Sequence, residues 1–428
     1  MTEREAAVSV LLAVLERGQF LKDALDDVTG SKRLDGAHGY GYLWKVTRGV
    51  TERAMTLDAM LGIFSVKSIK RMHPAVRTIL RLGTYEILYM DSIPESASVN
   101  ECVRLTKKFR QPRASGLVNA LLRKVSRISH LEEKHVDWDL STRYSMPQWI
   151  TDGWRKRFGK EVTERMLRTF LEESPLTIRV RTGRGSMEAL QERFAKESIE
   201  CQRVEGLPDA LLILTHGAPD KLPGFSEGLF YVQDSASMHV CHMAEIRENE
   251  HILDVCASPG GKAFHAADLV GNGGSVLARD VSVDKVSRLI ENQQRGNYKN
   301  VRTEVWDATV LDHHSFHRFD VVLADVPCSG LGVLSRKPEI KYRLKPEDIH
   351  DLKLLSGRIL DTVSRYVKIG GRLVFSTCTV CSDENEEQVR SFLHKYPDFS
   401  IIREKQFLPG DSKTGNDGFY ICVLKKNG

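Results

Sequence analysis

The feature that most restricts the fold is a change of hydrophobic period partway along the chain. Up to about residue 130, apolar side chains return every three or four positions: Val8, Leu11, Leu12 and Leu15; Leu43, Val46 and Val50; Val76, Ile79, Leu80, Leu82, Ile87 and Leu88; Val118, Leu121, Leu122 and Val125. That spacing predicts a helical domain, interrupted where Pro74, Pro94 and Pro112 stand. From about residue 251 the pattern changes. HILDV, SVLARD, VRTEV, FDVVLADV, GRLVFST and FYICVL read as strands, separated by glycine turns and helix-length segments. Strands alternating with helices predict a doubly wound sheet. In between, residues 131–170 read as a linker followed by a helix from Trp149 to Phe158. LTIRVR (176–181), a helix near 186–197, LLILT (211–215) and GLFYVQD (228–234) then read as a small α+β module. The expected domains are 1–130, 131–235 and 236–428, a division that 428 residues can sustain.

Charge follows the same boundary. The net charge of +5 lies wholly in residues 1–140, with 22 Lys and Arg against 17 Asp and Glu, whereas residues 141–428 balance at 40 against 40. It concentrates in 101–127, where Arg104, Lys107, Lys108, Arg110, Arg113, Arg123, Lys124 and Arg127 face only Glu101. Such a stripe suits a phosphate backbone, although a charge run is also what an ordinary solvated face looks like. No stretch approaches the roughly 18 apolar residues of a membrane span, and the N-terminus lacks the basic and small-residue marks of a signal peptide. A cytoplasmic protein without membrane association is expected. The eight cysteines, sparse and irregular, are expected to be free thiols.

The strongest local signal is HILDVCASPGGKAFHAADL (251–269). An apolar strand ends at Asp254, and a turn through Cys256, Ala257, Ser258, Pro259, Gly260 and Gly261 leads to a helix near Lys262. Glycines there let backbone N–H groups approach a ligand at a helix N-terminus. The pattern is neither a dinucleotide fingerprint nor a Walker loop. Acids follow at successive strand ends, Asp280, Asp307 and Asp325. One such acid can simply cap a helix; three in series point to an adenosine ligand whose ribose hydroxyls a carboxylate accepts. Two cysteines also stand at strand ends, Cys328 in DVPCSGLG and Cys378 in FSTCTVCSDENEE. Each suits a nucleophile or, equally, a small buried apolar side chain. Cys378 and Cys381 form C-x-x-C, but no second pair or spaced histidines complete a zinc site, and no metal is expected.

Together these segments resemble the Sun/NOL1/NOP2 family of RNA cytosine 5-methyltransferases, and within it the branch acting on small-subunit ribosomal RNA. DVCASPGGK resembles the AdoMet-binding turn, DVPCSG the proline–cysteine motif and STCTVCSDENEEQV the threonine–cysteine motif, while LTIRV, VQDSAS and NDGFYICVL are similar to other family segments. VRTILRLGTYEILYMDSIPESASVNECVRL (76–105) and GLVNALLRKV (116–125) resemble a NusB-like RNA-binding domain. Val255, Ser258, Val326 and Leu331 depart from the commoner family residues.

The resemblance implies an all-α NusB-like domain, a small α+β middle module and a Rossmann-like AdoMet-dependent methyltransferase domain. It implies AdoMet on Cys256–Lys262 with Asp280 at the ribose, Asp307 near the adenine and Asp325 between cofactor and base. It further implies Cys378 as nucleophile, Cys328 in product release, ribosomal RNA as partner and a monomeric enzyme. The alternatives are a transfer RNA cytosine 5-methyltransferase, which the NusB-like segment disfavours, and a non-catalytic RNA-binding assembly or transcription factor.

Overall fold

The computed structural model describes residues 1–31, 37–127, 137–174, 176–181, 183–214, 219–412 and 416–428. The start of the expected linker, at 131–136, and Thr215 lie outside the described residues. The chain divides into two compact units, Met1–Glu172 with Leu334–Arg343, and Glu173–Val333 with Leu344–Gly428.

The first unit is helical: α1 (Glu3–Leu15), α2 (Leu21–Ser31), α3 (Ala37–Phe64), α4 (Pro74–Tyr89), α5 (Glu95–Lys108), α6 (Ser115–Val125) and α7 (Gln148–Thr169). Local chemistry sets the ends. Thr2 and Glu5 form a reciprocal capping box at α1, and Pro74 opens α4 where its missing N–H costs nothing. The expected helix from Trp149 continues past Phe158, with a kink at Gly159, φ 77°. The periodic residues Leu11, Val46, Val50, Ile79, Leu80 and Leu122 form the core. At Gly83 a Cβ would lie 2.6 Å from Leu122 and 2.8 Å from Cys102, so only glycine permits this packing. All eight basic residues of the 104–127 stripe are exposed. Arg104 pairs with Glu101 and Lys108 with Glu5, while the other six make no ion pair among the described residues.

Leu334–Arg343 belongs to this unit although the sequence places it amid the strands. Lys341 Nζ donates to the Glu52 carbonyl at 2.7 Å, and Arg48 donates to the Ser335 carbonyl at 3.0 Å. Burial pushes the Lys341 ammonium down to about 7.

The second unit holds two sheets. β1 (Leu176–Val180), β2 (Cys201–Arg203), β3 (Ala210–Ile213) and β4 (Phe230–Val232) form an antiparallel sheet in the order β2-β3-β1-β4, with α8 (Met187–Lys196) between β1 and β2. After α9 (Ser235–Met243) come β5 (His251–Asp254), α10 (Gly261–Val270), β6 (Ser275–Asp280), α11 (Val283–Gly296), β7 (Val301–Val305) and β8 (Phe319–Asp325). The chain continues through α12 (Pro346–Val363), β9 (Val367–Thr377), α13 (Glu386–Lys395), β10 (Phe399–Phe407) and β11 (Phe419–Lys426). These strands order as β10-β11-β9-β8-β5-β6-β7, parallel from β7 to β9 and antiparallel beyond. The Rossmann-like expectation holds, with two differences. β10 was not foreseen, and β7 passes to β8 through a single short turn, His313–Ser315, rather than an α-helix. Strand order reverses between β5 and β8, so the carboxyl ends of these two strands flank the crevice where such sheets bind ligands.

Candidate active site

The turn leaving β5 is built around glycine. Gly260, φ 114°, caps α10 without any side-chain hydrogen bond, and a Cβ there would lie 2.0 Å from the Phe264 ring. Glycine is needed on both counts, and α10 starts immediately beside the crevice. Its first turn carries Lys262, whose Nζ lies 2.7 Å from Asp325 Oδ2 at the end of β8. Ser376 of β9 donates to the other oxygen at 2.8 Å. Burial works against the Lys262 ammonium, but the adjacent Asp325 carboxylate outweighs it and raises its pKa. Asp254 is 1% exposed, and burial pushes its carboxyl up to about 7 despite the nearby ammonium. One cation thus serves two acids at the switch point.

Asp280 ends β6. Its Oδ2 accepts the Ser258 N–H at 3.0 Å, and its Oδ1 accepts the Val281 N–H at 2.8 Å and meets the Lys285 ammonium at 3.0 Å. The carboxylate therefore fixes the turn containing Ser258, Pro259 and Gly260 to the neighbouring strand. Asp307 is different. It stands exposed two residues beyond β7, and its Oδ1 accepts the Thr309 N–H at 2.8 Å and hydroxyl at 2.7 Å, bonds that hold its carboxyl below the usual range. Asp307 thus braces a local turn rather than capping a helix, while Asp254, Asp280 and Asp325 gather around the β5 turn. Cys256, in that turn, has its thiol pushed up by burial and by the three acids.

The two strand-end cysteines converge. Cys328 Sγ and Cys378 Sγ are 3.4 Å apart, brought together by adjacent β8 and β9. The contact with Cys378, followed by burial, raises the Cys328 thiol strongly. Cys381 is no partner of Cys378 among the described hydrogen bonds, and burial pushes its thiol up to about 11. The C-x-x-C spacing is thus incidental, and the eight cysteines are free thiols. Behind the pair, the Gly332 N–H donates to the Cys378 carbonyl at 3.0 Å and the Gly418 N–H to the Gly332 carbonyl at 2.8 Å. A Cβ on Gly332 would fall 1.8 Å from the Gly418 oxygen. Ser376 and Gly418 were not singled out from the sequence, although they lie within the quoted motifs STCTVCSDENEEQV and NDGFYICVL.

Two further features lie apart from the thiols. A cavity of about 800 Å³ on the β6–β7 side is lined by Leu277, Arg279, Arg302, Trp306 and Arg318 and contains none of the acids or thiols above. Asp209 bridges two imidazoles, His242 Nε2 at 2.9 Å and His265 Nε2 at 3.1 Å. Burial holds His265 neutral, with its pKa at about 4, and the imidazoles hold Asp209 ionised despite its own burial.

Comparison with known proteins accounts for the whole chain. A NusB family model matches residues 1–127, a ferredoxin-like domain model of RsmF/B-like methyltransferases matches 146–218, and a model described as 16S rRNA methyltransferase RsmB/F matches 241–425. The chain is 30% identical over 444 residues to the probable ribosomal RNA small subunit methyltransferase B of Bacillus subtilis (strain 168), spanning 99% of both chains. It is 31% identical over 447 residues to the protein of that description from Synechocystis sp. (strain ATCC 27184 / PCC 6803 / Kazusa), spanning all of both. The crystal structure of PH0851 shares the fold with a TM-score of 0.81 at 24% identity, over 99% of this chain and 98% of that one. NSun6 from Pyrococcus horikoshii with SFG gives 0.61 at 22%, over 66% and 98%. A NusB domain, a small middle domain and a Rossmann-like methyltransferase domain, matched end to end by such relatives, make this chain a member of the ribosomal RNA small subunit methyltransferase B family.

Proposed function

We propose that the chain methylates carbon 5 of a cytidine in small-subunit ribosomal RNA through a covalent cysteine–cytosine adduct, with AdoMet as methyl donor. The observation that carries this reading is the pair of sulfurs 3.4 Å apart at the ends of β8 and β9, beside the Lys262–Asp325 ion pair. Methylation of an oxygen or an exocyclic nitrogen has no need of a thiol nucleophile. Carbon 5 of cytosine does, because it is too weakly nucleophilic until a thiolate has added to carbon 6.

The donor set at β5 and β6 fits AdoMet. Asp280 offers a carboxylate at a strand end, and its Lys285 partner is a half-exposed chain free to swing aside. Val281 and Val283, which follow Asp280, and Val305 and Val310, which bracket Asp307, are exposed apolar side chains suited to a planar base. The segment Cys256–Lys262 with Asp280 and Asp307 would hold the cofactor, which supplies an electrophilic methyl group when bound.

Cys378 attacks carbon 6 as thiolate and makes carbon 5 enamine-like. Asp325, its carboxylate fixed by Lys262 and Ser376, sits at the N3/N4 edge of the base and favours the charge distribution of the adduct. After methyl transfer, loss of the carbon 5 proton and departure of the Cys378 thiolate restore the ring, and Cys328 assists this release. The target nucleotide must leave its stack to reach the thiols. The exposed basic side chains of α5 and α6 supply phosphate contacts.

Two experiments test the reading. Bisulfite sequencing of small-subunit ribosomal RNA from cells with and without the gene should show one cytidine protected only in its presence; no such position would remove the carbon 5 assignment. On denaturing gels, Cys328→Ala should accumulate protein linked to RNA while Cys378→Ala should not, and the opposite pattern would exchange the two roles.

A further inference from the structure

One buried acid near the thiols has no part in the chemistry above. Glu384 lies in the short turn Ser382–Glu384 that follows the Cys378 loop and is 2% exposed. Its carboxylate takes two hydrogen bonds from a single residue, the Ser329 N–H at 2.7 Å to Oε1 and the Ser329 hydroxyl at 2.5 Å to Oε2. The Thr379 hydroxyl lies 2.8 Å from the Ser329 oxygen and, because the Ser329 hydroxyl hydrogen is committed to Glu384, is the donor of that bond. Ser329 is the residue after Cys328, and Thr379 is the residue after Cys378. One carboxylate therefore grips the residue following Cys328 directly and the residue following Cys378 through the Ser329 hydroxyl.

Such an arrangement is costly unless it does something. A carboxylate removed from water must be repaid by its hydrogen bonds, and burial here still pushes the Glu384 carboxyl above its ordinary value. An apolar contact would join the two loops with no such penalty, but it would fix neither their register nor their distance. The side-chain oxygens of Ser329, Thr379 and Glu384 do both, because hydrogen bonds are directional. Asn385, the next residue, anchors the same turn from behind by donating to the Thr379 carbonyl at 3.1 Å and accepting from Thr377 at 2.5 Å.

We propose that Glu384 is a positioning residue that sets the distance between the Cys328 and Cys378 sulfurs, and thereby the hand-over from covalent attack to product release. The proposal rests on the roles assigned to the two thiols above. In that scheme one sulfur bonds to carbon 6 while the other assists loss of the carbon 5 proton from the adjacent ring atom, so a change in their spacing uncouples the two steps. Glu384 touches neither substrate nor sulfur. Its grip passes through Ser329 and Thr379, and its charge in addition raises the Cys328 thiol, a contribution that Glu384→Gln and Glu384→Ala remove alike.

The sulfur spacing can be read without RNA. Diamide oxidises two nearby thiols to a disulfide, the two thiol hydrogens passing to the diazene to give the hydrazine, and closure is fast only when the sulfurs already lie within reach. On the full chain, Cys328–Cys378 closure followed by peptide mass spectrometry should be rapid, and Glu384→Ala should slow it by about tenfold or more, as small misplacements of reacting atoms do. Glu384→Gln keeps an acceptor for the Ser329 N–H and should restore most of the rate. Ser329→Ala, a smaller change that also serves if Glu384→Ala fails to fold, should slow closure by a few-fold. With RNA, Glu384→Ala should lower kcat and raise the fraction of trapped adduct while leaving KM unchanged. Closure at the wild-type rate in Glu384→Ala and Ser329→Ala, or equal slowing by Glu384→Gln and Glu384→Ala, would overturn the proposal. Failure of the adduct test on Cys328→Ala would instead strike the assigned chemistry and leave the disulfide result standing.

Discussion

The helical unit and the seven-stranded sheet place their charges oppositely. Along the stripe from Arg104 to Arg127 the basic side chains are exposed around an apolar core, and six of the eight have no ion-pair partner among the described residues. At the ends of β5, β6 and β8 the charges are drawn in: Asp254 and Asp280 are almost fully buried, and Lys262 is largely buried against Asp325. A charge in water is free to change, whereas a buried one is part of the fold. The same substitution, a lysine removed, should therefore have different consequences in the two regions.

The largest effect is expected at Lys262. Lys262→Ala leaves the Asp254 and Asp325 carboxyls without their cation, which should cost about 3–5 kcal/mol of stability and abolish methylation; calorimetry showing an unchanged transition would end the contrast. Next comes acid sensitivity. The folded-state pKa of His265, about 4, lies below its ordinary 6.5, so between these values the unfolded chain binds a proton that the folded chain refuses. Stability from this group is present above about pH 6.5 and lost as pH falls toward 4, by on the order of 3 kcal/mol. Asp209, held low by the imidazoles, acts in the same direction. Asp254 acts oppositely, its contribution fading as pH rises toward 7. A denaturation series should show the acid limb flattened by His265→Gln.

Asp280→Ala should weaken AdoMet binding by about tenfold to a hundredfold in calorimetry, the worth of roughly 1.5–3 kcal/mol of charge-assisted hydrogen bonding. Unchanged affinity would confine Asp280 to bracing the Ser258 turn. The smallest effect on stability is expected from reversing Lys107, Lys108 and Arg110 to Glu, within about 0.5 kcal/mol per site. Its signature is instead a weaker RNA complex with a shallower salt dependence, each lost phosphate contact removing about 0.9 from the log–log slope on duplex-like targets. An unaltered slope would reduce the stripe to a solvated surface.

The sequence was informative where function coincides with a local pattern. Asp254, Asp280, Asp325, Cys328 and Cys378 each end or closely follow an apolar strand, so the alternation that reveals the sheet also locates them. β10 escaped because an edge strand has no core on most of its length; Ser400 to Lys405 are exposed and include three charged side chains. Leu334–Arg343 escaped for a different reason, since its affiliation depends on Lys341 and Arg48 meeting carbonyls nearly 290 positions away in the chain. The grip of Glu384 on Ser329 spans 55 positions. Period and motif report what a residue does along its own element, and none of these contacts has that character.

The backbone contact between Gly332 and Gly418 has a consequence for the order in which the protein is made. Both thiols are synthesised before Gly418, and until that glycine is in place the Gly332 carbonyl in the Cys328 loop lacks the N–H it accepts. During that interval the nascent chain carries both thiols without β11, the strand that pairs with β9. The thiol pair thus exists as two chemical groups before the sheet around it is complete, and docking of the segment before β11 supplies the last of these contacts.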